Sequence, residues 1–319
     1  MVSALAFNVV AGFNDGGNLL AAAASSRTIP VPIAFALIVV GSFAGPLLFG
    51  TAVATTLGRG IADYSHVGMP LLLAAVTAAL AAVLVSYAMR VPTSMSLALV
   101  SAMVGSLLVA GPPHAIMWSG VTKVVVSTLG SCVAGFLMGA LVYAILIFLL
   151  RPVSRTLGDR IMRLQYGTVA LQALGYGAND AEKMMGMIAA AGAGGVASQA
   201  FHVPLWAIVA AISAFAVGLA FGGMRVAKTV GGKLFTIRPQ HALAFQAAAG
   251  ATVMAASFAG APLSTTETTA SAVIGVGAAA KVRRVRWSVA AQIVFAWVIT
   301  IPVAFASGAL AGFVVRLFH

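Results

Sequence analysis

Long apolar runs follow one another through this chain with almost nothing charged inside them. Ten can be marked, at residues 3–26, 31–57, 67–89, 93–110, 116–150, 164–192, 203–224, 241–258, 262–280 and 287–316. Most reach the ~20 residues that a helix needs to cross the hydrocarbon of a bilayer. In that medium a spanning backbone must satisfy its own amides and carbonyls, as a helix does. Charged residues are 8% of the 319, whereas a soluble domain has about a quarter. The expected fold is an all-α polytopic membrane protein with about ten membrane segments. Runs 93–110 and 262–280 are short and rich in hydroxyls, which makes them candidates for re-entrant hairpins. Run 116–150 is long enough to tilt or project.

The net charge of +12 does not point to nucleic acid, because of where the basic residues fall. Fourteen of the 18 Lys and Arg lie after odd-numbered runs: Arg27, Arg90, and four each within 151–163, 225–238 and 281–286. Loops of this kind stay on the cytoplasmic side, so both termini are expected outside a plasma membrane. The first charged residue is Asp15. The N-terminus therefore lacks the basic region of a cleaved signal peptide, and the first run is expected to remain. Cys132 is the only cysteine, which rules out an intrachain disulfide and suggests a packing role. No nucleophile elbow, zinc motif or phosphate-cradling loop is present, so neither an enzyme nor a cofactor is expected.

Two polar islands interrupt the apolar runs. One reads Gly12-Phe-Asn14-Asp15-Gly-Gly-Asn18, the other Gly175-Tyr-Gly-Ala-Asn179-Asp180-Ala-Glu182-Lys183-Met-Met-Gly186. They hold three of the six acidic residues. A charge at membrane depth is costly and persists where it meets a cavity, a partner or an ion. The adjoining glycines are expected to let each helix open toward that cavity. Carboxylate and amide oxygens are hard ligands, suited to Na⁺ or to a proton in its place. Asn14, Asp15, Asn18, Asn179 and Asp180 are thus candidate cation ligands, with Na⁺ expected at Asp15 and Asp180. Lys183 either neutralises a neighbouring carboxylate or attracts an anion.

The islands also repeat at a fixed spacing. Asn14-Asp15 recurs as Asn179-Asp180, an offset of 165, and Pro92-Thr-Ser94-Met-Ser96 recurs as Pro262-Leu-Ser264-Thr265-Thr266, an offset of 170. The basic stretch 151–163 joins a first repeat, 1–150, to a second, 164–319. Five segments in each repeat is an odd number, so the two would enter the membrane in opposite senses. Secondary transporters commonly have such inverted repeats, with their site at the interface between them. The two Pro-Ser/Thr stretches read as helix beginnings, where hydroxyls cap free amides. Those amides and the helix dipole also suit an anion. Ser94, Ser96, Ser264, Thr265 and Thr266 are the candidate ligands for it, and Glu267 beside them is a further candidate cation-binding residue, able to take up a proton as the anion binds. Glycine pairs at 41/45, 135/139 and 308/312 have the spacing of close helix packing.

Taken together, the two islands and the stretch Pro262-Leu-Ser-Thr-Thr-Glu-Thr268 resemble the signatures of the inorganic phosphate transporter family. The resemblance extends through Val276-Gly-Ala and Val285-Arg-Trp287 and covers nearly the full length. It implies an inverted-repeat permease that imports inorganic phosphate with Na⁺ or H⁺, with cations at the Asn-Asp motifs and phosphate at the Ser/Thr helix ends. This chain has Glu267 where that family usually carries His, and Glu182 where it often carries Gln. A sulfate or other oxyanion permease of the same fold, and a membrane subunit that does not transport, are the alternatives. The partners so implied are inorganic phosphate, Na⁺ or H⁺ and the lipid bilayer, with a homodimer left open.

Overall fold

The computed structural model describes residues 2–26, 28–63, 68–88, 93–112, 114–152, 154–192, 203–223 and 237–318. Arg27, Arg90, Pro92, Arg225, Lys228 and Lys233 lie outside the described residues. The remainder is almost wholly helical. Its first half comprises α1 (Val2–Ser26), α2 (Val31–Phe49), α3 (Ala52–Gly60), α4 (Met69–Ala88), α5 (Met95–Ala110) and α6 (Trp118–Leu150). A short α7 (Arg155–Met162) follows. The second half comprises α8 (Gln165–Tyr176), α9 (Glu182–Gly192), α10 (Leu205–Gly218), α11 (Pro239–Phe258), α12 (Thr265–Lys281) and α13 (Trp287–Phe318). A π-helical turn, Gly177–Ala181, joins α8 to α9, and another, Leu219–Gly223, continues α10.

The apolar composition is turned outward on the long helices. On α6 the exposed side chains are Val126, Leu129, Val133, Leu137, Leu141, Ile145 and Phe148, a stripe at helical spacing. Its opposite face buries Val124, Thr128, Ser131, Gly135, Gly139 and Tyr143. A soluble protein would not expose so much contiguous hydrocarbon, but lipid accepts it. Among the described residues, four helices are long and apolar enough to cross a membrane: Val31–Phe49, Met69–Tyr87, Trp118–Leu150 and Trp287–Phe318.

Two expectations need correction. Run 31–57 is not one helix. It breaks after Phe49, where Gly50 has φ 77 and ψ −170, a conformation that only glycine adopts readily. The chain then restarts as α3. The first island does not open its helix either, since α1 runs unbroken through Gly12–Asn18. Its glycines serve contact instead. A Cβ at Gly12 would lie 2.0 Å from the Phe215 carbonyl oxygen, and one at Gly16 2.7 Å from Leu219 Cδ1. Of the two islands, only the second departs from α geometry, as the π turn that carries Asn179 and Asp180.

The two shorter helices of the centre, α5 and α12, are buried on nearly every side. Their 16 and 17 residues rise only about 24–26 Å at 1.5 Å per residue, short of the ~30 Å of hydrocarbon. Each is held by a long helix from the other half, α5 by α13 and α12 by α6. The contacts are made through glycine, as the small-residue spacing leads one to expect. A Cβ on Gly308 would fall 2.0 Å from Ala102 O, and one on Gly312 2.6 Å from Ser106 O. On the other side Gly135 and Gly139 stand equally close to Thr268 O and Ala272 O.

Candidate functional site

Helices α5 and α12 begin in the middle of the molecule, and both begin alike. Ser94 and Ser264 sit at their N-caps in extended conformation, φ −83 and −93. Ser94 Oγ accepts from Leu97 N at 3.3 Å, and Ser264 Oγ accepts from Glu267 N at 3.4 Å. Each cap meets one of the four amides that a helix start leaves unbonded. Ser96 donates at 2.7 Å to Leu263 O, which ties the first helix start directly to the second.

The asparagines hold these starts against the islands. Asn14 Nδ2 donates to Thr93 O at 3.4 Å, the residue before the Ser94 cap. Asn179 accepts from Leu263 N at 3.2 Å, the residue before the Ser264 cap, and donates to Ala261 O and Ser257 Oγ at the same distance. With these bonds made, the amide oxygen of Asn179 is used as a brace.

The aspartates converge on one helix end. Thr266 donates to Asp15 Oδ1, and the neighbouring Thr265 donates to Asp180 Oδ2. Asn18 donates to Thr266 Oγ1 at 2.9 Å, and Asn14 to Asp15 Oδ1 at 2.9 Å. Lys183, one helical turn after Asp180, forms a direct ion pair with it. Asp15 has no such partner among the described residues, although it lies within the electrostatic reach of both Asp180 and Lys183. All these groups except Asn14 are buried. Charges removed from water interact strongly, so the unpaired Asp15 is the main electrostatic feature of the site.

The other two acidic residues nearby have different surroundings. Glu182 is turned away and caps α3, accepting from Val53 N at 3.0 Å and Ala54 N at 3.1 Å. A carboxylate at a helix start is favoured by the dipole and by the free amides. Glu267 faces α6, where Cys132 Sγ donates to its Oε2 at 3.3 Å, and the Ser94 side chain lies close. Its Oε1 has no partner among the described residues.

Three polar neighbours, of which only Tyr176 lies within an island, have no role assigned from sequence. Tyr176 donates to Thr265 O at 3.2 Å and shares a 2.7 Å hydrogen bond with Thr269 Oγ1. Gln172 Nε2 donates to the same Thr269 oxygen at 3.1 Å. Gln172 is a single polar residue in an apolar run, and its only signal is helical register, since it lies one turn before Tyr176. Cys132, expected as a packing residue, proves to be the thiol that faces Glu267.

The site therefore offers two carboxylates, a lysine, hydroxyls, side-chain amides and two helix starts. Among the described residues no three His, Cys, Asp or Glu gather as a metal cluster. The donor set is hard oxygen, which suits an alkali cation rather than a transition metal.

Comparison with known proteins identifies the family of the chain. The phosphate transporter family model matches residues 11–162 and 153–308. The chain is 33% identical to the "Probable low-affinity inorganic phosphate transporter" of Bacillus subtilis, over 99% of this chain and 96% of that one. It is 35% identical to the protein of the same name in Rhizobium meliloti, over 98% and 95%. A solved structure, "The sodium-dependent phosphate transporter", has the same fold, with a TM-score of 0.85 at 23% identity over 100% of this chain and 98% of that one. These relatives are named as transporters, not as enzymes. Because the family model covers most of the chain and relatives match it nearly end to end, the chain is a membrane protein that belongs to the phosphate transporter family.

Proposed function

We propose that this chain imports inorganic phosphate across the cell membrane, coupled to Na⁺ or H⁺. The observation that carries the reading is the adjacency of Thr265 and Thr266, which bind the aspartates of the two islands to one helix start. An anion placed there meets the α5 and α12 amides left over from capping, the hydroxyls of Ser94 and Ser264, those of Ser96, Thr265 and Thr266 once they turn from Leu263 O and the two aspartates, and Lys183. It also meets the negative charge of Asp15. Like charges this close in a dry interior repel strongly, so the anion is accepted when a cation has neutralised Asp15. Na⁺ or H⁺ at Asp15, and at Asp180 when Lys183 turns to the anion, would link the two substrates. Asn14 and Asn18 supply further oxygens to the cation, whereas Asn179 Oδ1 is engaged with Leu263 N and Glu267 faces the anion.

In this reading the chain forms about ten membrane segments in two inverted repeats, 1–150 and 164–319, joined by 151–163, with the short α5 and α12 as candidates for re-entrant elements. Both termini lie outside, and a homodimer is compatible with the exposed faces of α6 and α13. Reciprocal packing supports the repeat, because α5 rests on α13 while α12 rests on α6. So do the element lengths. Adding 170 to Met69–Ala88 lands on 239–258, the limits of α11.

Sulfate is the second reading, and Glu267 weighs against it. Its buried Oε1 is an acceptor without a donor among the described residues, and hydrogen phosphate carries a P–OH that sulfate lacks. Sites built to bond a hydroxyl reject the analogue without it. Uptake of labelled phosphate into proteoliposomes tests the proposal. Na⁺- or pH-dependent accumulation, competed by arsenate and not by sulfate, supports it. Sulfate preference, or no flux from correctly folded protein, overturns it.

A further inference from the structure

A file of polar side chains leads away from the site along one face of α8. Gln165, Thr168, Gln172 and Tyr176 are spaced three and four apart, so they form a single stripe. The stripe is about 16 Å long at the helical rise. At its inner end Tyr176 and Gln172 meet Thr269, four residues after Thr265. Midway, Thr168 donates to Gln246 Oε1 of α11 at 3.2 Å. At its outer end Ser26, the last residue of α1, donates to Gln165 Oε1 at 3.0 Å. The file thus runs from the site to the point where α1 ends and α8 begins.

Hydrogen bonding within this file is incomplete. Gln165 Nε2, Gln172 Oε1 and Gln246 Nε2 have no partner among the described residues, although all three residues are 0% exposed. Buried amide groups are normally satisfied, by water where protein does not reach them. Three half-satisfied amides in one file form a run of open donors and acceptors that water or an oxyanion would satisfy. Two of the open atoms are N–H donors, which also suit the oxygens of an anion.

The repeat-related positions in the first half are the reverse. The offset of 165 takes Gln172 and Tyr176 to Phe7 and Ala11, and the offset of 170 takes Gln246 and Thr269 to Val76 and Leu99. All four are buried in one apolar cluster. The chain therefore has a file of open amides on one side of the site and, at the matching place on the other, an apolar cluster next to which Asn8 alone leaves an amide oxygen open among the described residues.

We propose that the α8 file, with Gln246 and Thr269, is the hydrated leg by which the oxyanion and its water reach the membrane face bearing residues 151–163. The Phe7–Ala11–Val76–Leu99 cluster is the sealed counterpart. The nature of the cargo rests on the phosphate reading, whereas the leg itself is tested by water access alone.

Cys132 is the single native thiol, so intact mass can count added ones. Gln172→Cys and Gln246→Cys, treated with a membrane-impermeant methanethiosulfonate from the 151–163 face, are each expected to gain one modified thiol over the unsubstituted protein. Phe7→Cys and Val76→Cys are expected to gain none. If the Gln172 and Gln246 variants are as inert as the Phe7 variant in folded protein, the file is a dry amide network and the inference fails. Gln172→Leu gives a second readout. Turnover is expected to fall about tenfold with phosphate affinity little changed, the signature of a blocked passage rather than a lost ligand. Unchanged turnover overturns the leg. Thiol access in a protein that binds no phosphate upholds the leg and defeats the phosphate reading instead.

Discussion

Thr266 donates its hydroxyl to Asp15, a residue 251 positions earlier in the chain. Its neighbour Thr265 donates to Asp180, so two adjacent residues of one helix start hold the acidic centres of both islands. The two aspartates are not equivalent. Asp180 is already neutralised by Lys183, and Asp15 is paired only with neutral groups among the described residues.

That difference predicts different mutant behaviour. Asp15→Asn keeps the shape and an acceptor for Thr266, so the protein should fold, yet phosphate binding should lose its dependence on Na⁺ or pH. Asp180→Asn leaves Lys183 buried without its counter-ion. Breaking a buried pair from one side costs about 3–5 kcal/mol, so its folded yield in detergent should drop sharply. Titration calorimetry of Asp15→Asn with and without Na⁺ and across pH, and size-exclusion profiles of both, are the checks. A cation response in Asp15→Asn equal to that of the unsubstituted protein would remove Asp15 from the cation site.

Thr266→Ala should weaken phosphate or cation binding about tenfold, because a hydrogen bond to a charged group contributes roughly 1.5–3 kcal/mol. Thr266→Ser should recover most of it. Isothermal titration gives both affinities, and an Ala variant that binds normally would reduce the hydroxyl to a structural strut.

Glu182 is expected to act on stability alone. Glu182→Ala strands the amides of Val53 and Ala54 at the start of α3, at a cost of about 1–3 kcal/mol. The unfolding midpoint should fall while the Na⁺ or pH dependence of transport is kept. A change in coupling ratio without loss of stability would contradict the cap.

The glycine clamp allows a steric test. Gly308→Val puts a branched side chain where a Cβ alone would lie 2.0 Å from the Ala102 carbonyl oxygen. The neighbour is backbone and cannot swing aside, so α13 must separate from α5. Overpacking of this kind costs typically about 1–3 kcal/mol, which thermal unfolding in detergent would register. Gly130→Val, at a position with nothing within 4 Å, is the control that should be tolerated.

Glu267→Gln replaces the open carboxylate oxygen with one that no longer titrates. Uptake by this variant should show a flatter pH profile and a smaller preference for phosphate over sulfate. Competition assays at three pH values measure both. If selectivity and profile are unaltered, Glu267 takes no part in recognising the anion.

Much of the site is legible in the amino-acid sequence. A carboxylate in a long apolar run stands out by its cost, so Asp15 and Asp180 are identifiable from hydropathy alone. Ser94 and Ser264 are legible as caps, because a proline two residues before a hydroxyl and an apolar run is a local signal. The glycine pairs at 135/139 and 308/312 mark contact for the same reason, since spacing along one helix face is a property of the chain.

Partnership is not legible there. That Thr266 seeks Asp15 and Thr265 seeks Asp180 depends on how α12 is rotated between α1 and the π turn, and α6 constrains that rotation through the close approach of Gly135 and Gly139 to the α12 backbone. Glu182 and Asp180 lie two residues apart and so face opposite ways on any helix, but which of the two enters the site depends on how that helix is packed. The break at Gly50 is hidden because composition is apolar on both sides of it, and hydropathy carries no information on φ. Gln172 and Gln246 look like stray polar residues until packing sets them in one file. Side-chain type and local period are enough to say which residues must be buried and what chemistry they bring. Which of them meet is settled by packing alone, because hydrogen-bond geometry follows from the relative positions of helices that no short-range signal encodes.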